Sequence, residues 1–192
     1  GSVVAIGARY NDGGGNNSGH VRIYENNNGT WTQIGSDIDG ETGTNYSGWS
    51  VSLSDDGSIV AIGATHNNGS GTYSGHVRIY ENDNGTWTQI GSDIDGESSY
   101  DYFGHSVSLS ADGSVVAISA YGDDGNSTDS GHVRIYKNDN GTWTQISSDI
   151  DGEAYYDRSG FSESGSAVSL SSDGSVVAIG AYYNDGGGGN SG

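Results

Sequence analysis

The sequence contains no cysteine, no proline and no methionine among its 192 residues. The absence of cysteine excludes disulfides, thiol nucleophiles and thiolate metal sites together. No apolar run reaches the length of a membrane span, and no basic segment followed by an apolar one indicates a signal peptide. We therefore expect no membrane span and no chemistry that depends on cysteine.

Positive charge is also scarce, with 6 Lys and Arg against 25 Asp and Glu and a formal net charge of −19. A nucleic acid is bound by a basic face that displaces the counterions of its phosphates, and so few cations cannot build one. The sequence therefore predicts no nucleic-acid partner. Such acidity suits a surface that resists aggregation, a saline environment or the binding of divalent cations.

The residues that are abundant indicate β-structure. The chain has 35 Gly, 13 Tyr and 4 Trp. Disordered segments usually lack aromatic and β-branched residues, so this composition argues against disorder. It is typical of many short strands separated by glycine-rich turns.

Three motifs recur along the chain. The motif Gly-Ser-(Val/Ile)-Val-Ala-Ile begins at Gly1, Gly57, Gly113 and Gly174, at spacings of 56, 56 and 61 residues. Ser-Gly-His-Val-Arg-Ile-Tyr and Asn-Gly-Thr-Trp-Thr-Gln-Ile each occur three times, also 56 residues apart. The five additional residues of the last interval lie between Glu153 and Val168. We interpret residues 1–192 as a single repeat array with units of approximately 1–56, 57–112 and 113–173 and a partial unit 174–192.

Each unit has a period of two rather than 3.6. In the third unit, strands are predicted over Ser106–Ser110, Ser114–Ala120, His132–Tyr136 and Thr142–Ile146, with a hairpin loop over 137–141. Four antiparallel strands in a tandem unit of about 56 residues predict an all-β fold of β-propeller blades. An open β-solenoid or superhelical array is the alternative. The small residues Gly63, Ala117, Ser119 and Ala120 would allow neighbouring blades to approach closely.

The number of units does not close a ring. Propellers usually take four to eight blades, and only three units are complete. Residues 174–192 match residues 1–19 except at Arg9/Tyr182 and Asn16/Gly189. The sequence therefore predicts that the chain is a segment of a longer array or is completed by oligomerisation, so its expected partner is itself.

Residues 103–120, Phe-Gly-His-Ser-Val-Ser-Leu-Ser-Ala-Asp-Gly-Ser-Val-Val-Ala-Ile-Ser-Ala, resemble an FG-GAP repeat. Tyr46-Ser-Gly-Trp49 and Ser164-Gly165 stand at the positions of Phe103-Gly104 in the other units. FG-GAP repeats form the blades of integrin α-subunit propellers, and similar tandem repeats occur in large secreted proteins of marine bacteria. The resemblance implies a propeller with an extracellular adhesive or ligand-binding role.

The chain departs from that family in one functional element. The family often carries a calcium loop between the first two strands of a blade. Here that link is only Asp55-Asp56-Gly57 and its equivalents at 111–113 and 172–174. Two or three residues cannot supply the six to eight oxygens of a calcium site, so that site is not carried over.

A second candidate for cation binding is the motif Ser-Asp-Ile-Asp-Gly-Glu. Its alternating carboxylates could converge on Ca²⁺, the one cofactor that the sequence suggests. In the alternative interpretation, the first Asp ends a strand and the second forms an Asx-turn. The candidate ligands are Asp37, Asp39, Glu41, Asp93, Asp95, Glu97, Asp149, Asp151 and Glu153.

Other residues that recur once per unit are open to a structural interpretation. Arg22, Arg78 and Arg134 share a strand face with His20, His76 and His132, and we expect each Arg to pair with an acidic neighbour. Trp31, Trp87 and Trp143 either pack across the hairpin on Tyr24, Tyr80 and Tyr136 or stack on sugar rings. Tyr100, Tyr102, Tyr155 and Tyr156 lie in variable loops and are candidate ligand contacts. Asn28, Asn84 and Asn140 match the N-glycosylation acceptor, but Asn-Gly is also ordinary hairpin-turn chemistry.

These features predict an extracellular or cell-surface, non-enzymatic repeat protein with a structural or adhesive role in a surface or filamentous assembly. A multivalent, lectin-like propeller that binds glycans or surface proteins is the alternative. A third hypothesis is an enzyme with a site in the propeller channel. No set of residues resembles a catalytic triad, so the sequence assigns no catalytic residue.

Overall fold

The computed structural model describes residues 1–125, 127–163 and 165–184. Two parts of the sequence comparison above lie outside the described residues. They are Ser164 of the third unit and residues 185–192 of the partial fourth unit. Every regular element in the described part of the chain is a β-strand, so the predicted all-β class is confirmed. That part of the chain contains no helix long and apolar enough to cross a membrane.

The strands form four sheets, called blades 1 to 4 in chain order. They are β1 (Val3–Ala8), β2 (His20–Asn27), β3 (Thr30–Gln33), β4 (Ile38–Asp39), β5 (Ser50–Leu53), β6 (Ile59–Ala64), β7 (His76–Asp83), β8 (Thr86–Gln89), β9 (Ile94–Asp95), β10 (Val107–Leu109), β11 (Val115–Ala120), β12 (His132–Asp139), β13 (Thr142–Gln145), β14 (Ile150–Asp151), β15 (Val168–Leu170) and β16 (Val177–Ile179).

Blades 2 and 3 have the predicted four antiparallel strands in chain order, β5-β6-β7-β8 and β10-β11-β12-β13. Each has a short fifth strand, β9 or β14, which pairs with the third strand and was not predicted. Blade 1 consists of β1-β2-β3 with β4 on β2, and blade 4 consists of β15 and β16. This arrangement is that of propeller blades.

The hydrophobic core lies between the blades. All six residues of β11 are buried, as its continuous apolar sequence predicts. Val116 and Ile118 form one cluster with Ala61, Val77 and Ile79 of blade 2. Two further clusters join blade 1 to blade 2 and blade 3 to blade 4 in the same way. Each blade is therefore stabilised by its neighbours.

The turn between the first two strands of a blade is held by its Asp side chain. In blade 3, Asp112 Oδ1 accepts hydrogen bonds from the Ser114 backbone N–H (2.9 Å) and the Ser110 hydroxyl (2.7 Å). These hydrogen bonds hold the pKa of Asp112 below its ordinary value, and the bond from the Ser114 backbone has the largest effect. Gly113 adopts φ +69°, which glycine reaches without a steric penalty. The short link is therefore a hydrogen-bonded turn.

The outer hairpin is tighter than predicted. The expected loop over 137–141 is wrong, because β12 continues to Asp139 and leaves only two residues in the turn. Asn140 and Gly141 both have positive φ, 51° and 88°, which makes a type I′ turn. The twist of this turn matches that of the flanking strands, so the pairing extends to the hairpin tip.

Close contact between blades 2 and 3 requires a glycine. A Cβ atom at Gly63 would lie 2.1 Å from the carbonyl oxygen of Gly104. Real carbon atoms do not approach oxygen so closely, and any side chain here would separate the blades. The predicted role of a small residue at this position is confirmed.

Candidate functional site

The first Asp of each Ser-Asp-Ile-Asp-Gly-Glu motif binds an arginine of its own blade. Asp37 accepts three hydrogen bonds from the Arg22 side chain, the shortest at 2.8 Å, and a fourth from Gln33 Nε2 at 2.7 Å. The Arg22 hydrogen bond is the main reason that the pKa of Asp37 falls to about 2. Arg78–Asp93 and Arg134–Asp149 repeat the pair. The expected pairing of each Arg with an acidic neighbour is confirmed.

The Glu of the motif reaches the arginine of the next blade. Glu41 of blade 1 pairs with Arg78 of blade 2, and Glu97 of blade 2 lies 2.6 Å from the Arg134 guanidinium of blade 3. Only 5% of the Arg134 side chain is exposed. Burial alone would lower the pKa of Arg134, but hydrogen bonds to Asp149 and Glu97 raise it above its ordinary value. Each buried arginine therefore joins two blades through two carboxylates.

The second Asp of the motif lies near a histidine. The Nδ1 atom of His20 is 3.5 Å from Asp37 and 4.0 Å from Asp39. Three clusters of one histidine and two carboxylates occur among the described residues: His20 with Asp37 and Asp39, His76 with Glu41 and Asp93, and His132 with Asp149 and Asp151.

These clusters do not fit calcium. A calcium ion takes six to eight oxygen ligands, whereas each cluster offers two carboxylates and an imidazole nitrogen. In each cluster one of the carboxylates is already held by an arginine. The three carboxylates predicted as ligands in one unit also point apart, because the Glu side chain pairs with an arginine of the next blade. The three carboxylates of one unit are therefore not gathered around one point, and Ca²⁺ binding at these residues stays a prediction.

The tryptophans are contacts between blades. The indole N–H of Trp87 donates to the Ile34 carbonyl, and that of Trp143 donates to the Ile90 carbonyl, both at 3.0 Å. Across the hairpin, Trp143 lies opposite Asn138 and Tyr136 lies opposite Gln145, so the two aromatic residues are diagonal rather than direct neighbours. Both pack on the core cluster shared with blade 2. Trp87 and Trp143 are therefore half-buried at blade interfaces. Trp31, in blade 1, is 47% exposed.

One end of the blades carries a continuous series of rings in edge-to-face, tilted and stacked contact, which we call the aromatic strip. Because neighbouring strands are antiparallel, the loops that enter the first strand and leave the second strand meet at the same end of each blade. The strip consists of Tyr10, Tyr46, Trp49, His66, Tyr73, Tyr102, His105, Tyr121, Phe161 and Tyr183.

The strip passes from blade to blade without interruption. Trp49 lies 5.5 Å from His105, and His105 lies 5.1 Å from Phe161, measured between ring centroids. Tyr102 and Tyr121 are stacked at 5.0 Å with nearly parallel planes. Arg9 lies 4.0 Å from the centroid of the Trp49 ring at one end of the strip, and Arg158 lies 5.4 Å from that of Tyr183 at the other. Such half-exposed rings and cations can bind flat apolar faces, including those of sugars.

His105 is the most perturbed titratable group of the strip. Its ring is 2% exposed, and Nδ1 has no described hydrogen-bond partner. Burial, with a smaller effect of the Arg9 charge, lowers the pKa of His105 to about 4. The imidazole is therefore neutral near pH 7 and packs as an aromatic ring.

The strip contains only one of the four loop tyrosines chosen from the sequence. Tyr102 belongs to it. Tyr100 lies at its border, 5.8 Å from Tyr73, and is 54% exposed. Tyr155 and Tyr156 form a separate exposed pair with centroids 4.2 Å apart.

Sequence reasoning missed the other tyrosines, Trp49 and Phe161. Trp49, His105 and Phe161 occupy one position of the repeat, as do Tyr46, Tyr102 and Arg158. A comparison of residue class at equivalent positions, instead of residue identity, would have found them.

The same comparison shows that the proposed equivalence of Gly165 with Gly104 is wrong. It is Gly160 whose backbone N–H donates to the Gly180 carbonyl, as that of Gly104 donates to Ser119.

The three candidate glycosylation residues lie at hairpin tips. Asn28, Asn84 and Asn140 each have φ between 50° and 54° and precede a glycine of positive φ. They therefore fulfil the turn interpretation, and their modification stays a prediction.

Comparison with known proteins supports the fold. A solved structure from Bacteroides uniformis, proposed to be a 6-phosphogluconolactonase, matches with a TM-score of 0.55 and 12% sequence identity. The match covers 86% of this chain but only 42% of that protein. At this identity the likeness shows a shared fold alone. No curated protein matches the chain.

That structural neighbour corrects one prediction. The prediction that the chain is not an enzyme is wrong, because the same fold occurs in a protein proposed to act as a lactonase. A propeller scaffold and a regular repeat therefore give no reason to exclude catalysis.

The sequence itself matches one family model. Residues 93–136, from the motif Asp93 through β10 and β11 into β12, match the FG-GAP repeat. This segment includes Phe103-Gly104, on which the resemblance was based. The resemblance is confirmed, and the chain carries an FG-GAP repeat at residues 93–136.

Proposed function

We propose that the chain is an extracellular or cell-surface repeat protein with a structural or adhesive role, whose blades are the units of a surface or filamentous assembly. FG-GAP repeats are typical of surface proteins, which favours this location. The acidic composition, with a formal net charge of −19, suits a protein exposed to a saline exterior.

The observation that carries the structural role is the repeated contact between blades. The bonds Trp87–Ile34 and Trp143–Ile90 have the same length, 3.0 Å, and join residues 53 positions apart in both cases. A contact that depends only on the unit, and not on its place in the chain, is typical of arrays that extend by repetition. Residues 1–192 then act as one continuous array.

Labelling of the cells that produce the protein tests this proposal. Antibodies against the chain should bind intact, unpermeabilised cells, and electron microscopy should show the label on ordered material outside the membrane. Protease added to intact cells should remove the signal. Label confined to the cytoplasm would refute the proposed location and role.

The aromatic strip supports a second function, the binding of glycans. Sugar rings stack on half-exposed aromatic side chains, and the strip offers Trp49, Tyr73 and Tyr102 within one connected group. A strip that crosses several blades would bind an extended oligosaccharide better than a single sugar.

A glycan array with matched variants tests this second function. Trp49→Ala and Tyr102→Ala should each abolish binding. Tyr155→Ala is the control, because Tyr155 is exposed outside the strip. Absence of binding to any glycan, or equal loss in the control variant, would exclude the strip as a glycan site.

A further inference from the structure

The interface between neighbouring blades has two unlike halves. The later blade contributes an indole donor, an arginine and the apolar face of its second strand. The earlier blade contributes an isoleucine carbonyl, a glutamate and an apolar surface. Between blades 2 and 3 these contacts are Trp143 with Ile90 and Arg134 with Glu97. Each blade therefore has two different faces: the later-blade half, with the Trp and the Arg, contacts the preceding blade, and the earlier-blade half, with the Ile carbonyl and the Glu, contacts the following blade.

Blade 1 leaves the later-blade half uncovered. Ile6 is 50% exposed, whereas the equivalent Ile62 of blade 2 is 2% exposed. The Arg22 side chain is 44% exposed, against 5% for Arg134. Trp31 is 47% exposed and donates no described hydrogen bond. These three residues are those that bind a preceding blade elsewhere in the chain.

Blade 3 leaves much of the earlier-blade half uncovered. Ile146 is 53% exposed, and Glu153 is exposed. A cavity of about 220 Å³ lies between Ile135, Ile146 and Ile150 of blade 3 and the residues Leu170 and Val177 of blade 4. The equivalent residues of blade 2, 56 positions earlier, are Ile79, Ile90 and Ile94, in the cluster on which Trp143 packs. The cavity therefore lies where the tryptophan of a following blade would pack.

We propose that blade 1 of a second copy of this chain docks on blade 3 of the first. Trp31 of one copy fills the cavity beside Ile146 and donates to the Ile146 carbonyl of the other. Arg22 pairs with Glu153, as Arg134 pairs with Glu97. The interface continues the one already present between blades, and its charges are complementary. This proposal rests on the proposed function as an assembling repeat array, and it identifies the surface through which the copies associate.

The second copy docks by strand exchange, in which its β1 displaces β16 of blade 4 in the first copy. Residues 174–184 repeat residues 1–11 except that Tyr182 replaces Arg9. β1 of the second copy can thus replace β16 beside β15, with Val4 and Ile6 at the positions of Val177 and Ile179. β1 pairs only with β2 among the described residues, so β15 also supplies the strand that its free edge lacks.

One residue makes this interface weaker than those within the chain. Gly91 allows the Gly141 carbonyl of the next blade to approach, since a Cβ there would lie 2.5 Å from that oxygen. The equivalent residue of blade 3 is Ser147. Its side chain holds the Gly29 carbonyl of the incoming copy away, and Ser147→Gly should strengthen the association.

The mass of the purified 192-residue chain, measured by sedimentation equilibrium over a wide concentration range, tests the proposal. We expect concentration-dependent dimers or longer head-to-tail chains. A closed dimer, in which each copy docks on the other, would have six complete blades, within the four to eight of closed propellers. Trp31→Ala should raise the dissociation constant at least about tenfold, as expected for a buried aromatic anchor. Ser147→Gly should lower it. A chain that stays monomeric throughout, or an association that Trp31→Ala leaves unchanged, would overturn the proposal.

Charge variants provide the matched control. Glu153→Lys should weaken association. Glu81→Lys, which changes the net charge equally at an exposed residue of β7 in blade 2, outside the proposed interface, should not. Circular dichroism melts establish that each variant is folded. Equal weakening by both variants would contradict the Arg22–Glu153 pair. Since cell labelling reports location and sedimentation reports this interface, a monomeric chain that is nevertheless found on the cell surface would refute only the interface.

Discussion

The indole nitrogen of Trp143 lies 3.0 Å from the carbonyl oxygen of Ile90, a residue of the preceding blade. The contact runs in one direction only, with the later blade donating and the earlier blade accepting. Trp87 and Ile34 repeat it. This directionality gives the array a head and a tail, and several expected effects of substitution depend on it.

Replacing Trp143 by Phe removes the donor from a half-buried carbonyl. An acceptor left without its hydrogen bond costs about 1–3 kcal/mol, so the free energy of unfolding should fall by that amount. Urea denaturation measures the change. Trp31→Phe, measured at a concentration low enough to keep the chain monomeric, is the control and should have a much smaller effect, because no described bond within the chain is lost. Equal effects of the two variants would mean that the indole hydrogen bond contributes nothing.

Arg134→Gln should destabilise the chain strongly. The substitution leaves Asp149 and Glu97 without their shared cation at a site where the arginine side chain is only 5% exposed. The Glu97 and Asp149 side chains are 63% and 30% exposed, so water can solvate them, and we expect a cost of about 1–3 kcal/mol, below that of a fully buried ion pair. Arg22→Gln removes the equivalent, exposed arginine and should cost far less when the chain is diluted enough to be monomeric. Thermal melts at low and high salt would show whether the loss at Arg134 is, as expected, nearly independent of ionic strength.

Comparison of Gly75→Ala with Gly85→Ala separates the cost of a steric clash from the cost of a strained backbone. Gly75 has φ +76°, and its Cβ would lie 2.1 Å from the Phe103 carbonyl oxygen. Gly85 has φ +90°, but a Cβ there meets nothing within 4 Å. Gly85→Ala should cost about 1–2 kcal/mol from the strained backbone alone. Gly75→Ala should cost clearly more, and similar chemical denaturation midpoints for the two variants would contradict the close approach.

Acidification should destabilise the chain through His105. The folded pKa is about 4, against about 6.5 for an unperturbed histidine. Between these values the unfolded chain binds the proton and the folded chain does not, so stability falls as the pH decreases from 6.5 to 4. The loss attributable to this one residue is on the order of 3 kcal/mol.

The variant His105→Phe isolates this effect. Phenylalanine keeps a ring against Phe161 but cannot be protonated. The variant should lose stability less steeply than the wild type between pH 6.5 and 4, and the difference between the two urea-denaturation curves measures the His105 contribution. Parallel pH profiles would show that the histidine pKa is not depressed. His66 and His76, whose pKa values burial also lowers, are present in both proteins and cancel in the difference.

The sequence predicted the local structure well because its units repeat. Alternation of apolar residues defined the strands, and the continuous apolar run of β11 indicated burial on both faces. The hairpin loop over 137–141 was placed wrongly, because Lys137, Asn138 and Asp139 are polar and resemble loop residues. At the end of β12 the Lys137 and Asp139 side chains are exposed to solvent, and the backbone pairing with β13 continues beneath them.

The contacts between blades could not be predicted in the same way. The partner of Glu97 is Arg134, and the pair meets only when two sheets are packed together. Sequence spacing within one unit had suggested that Glu97 joins Asp93 and Asp95 around a cation. The aromatic strip was missed for a related reason, since Trp49, His105 and Phe161 share a position but not an identity.

Because the blade interfaces are equivalent, the chain can lose or gain a whole unit without losing the contacts between blades. Removal of residues 57–112 would bring blade 3 against blade 1, with Trp143 facing Ile34 and Arg134 facing Glu41, the same types of residue as before. Duplication of those residues would likewise create no new kind of contact. Unequal recombination between near-identical coding repeats therefore produces longer and shorter proteins that fold by the same rules, and the number of blades becomes a property on which selection can act directly.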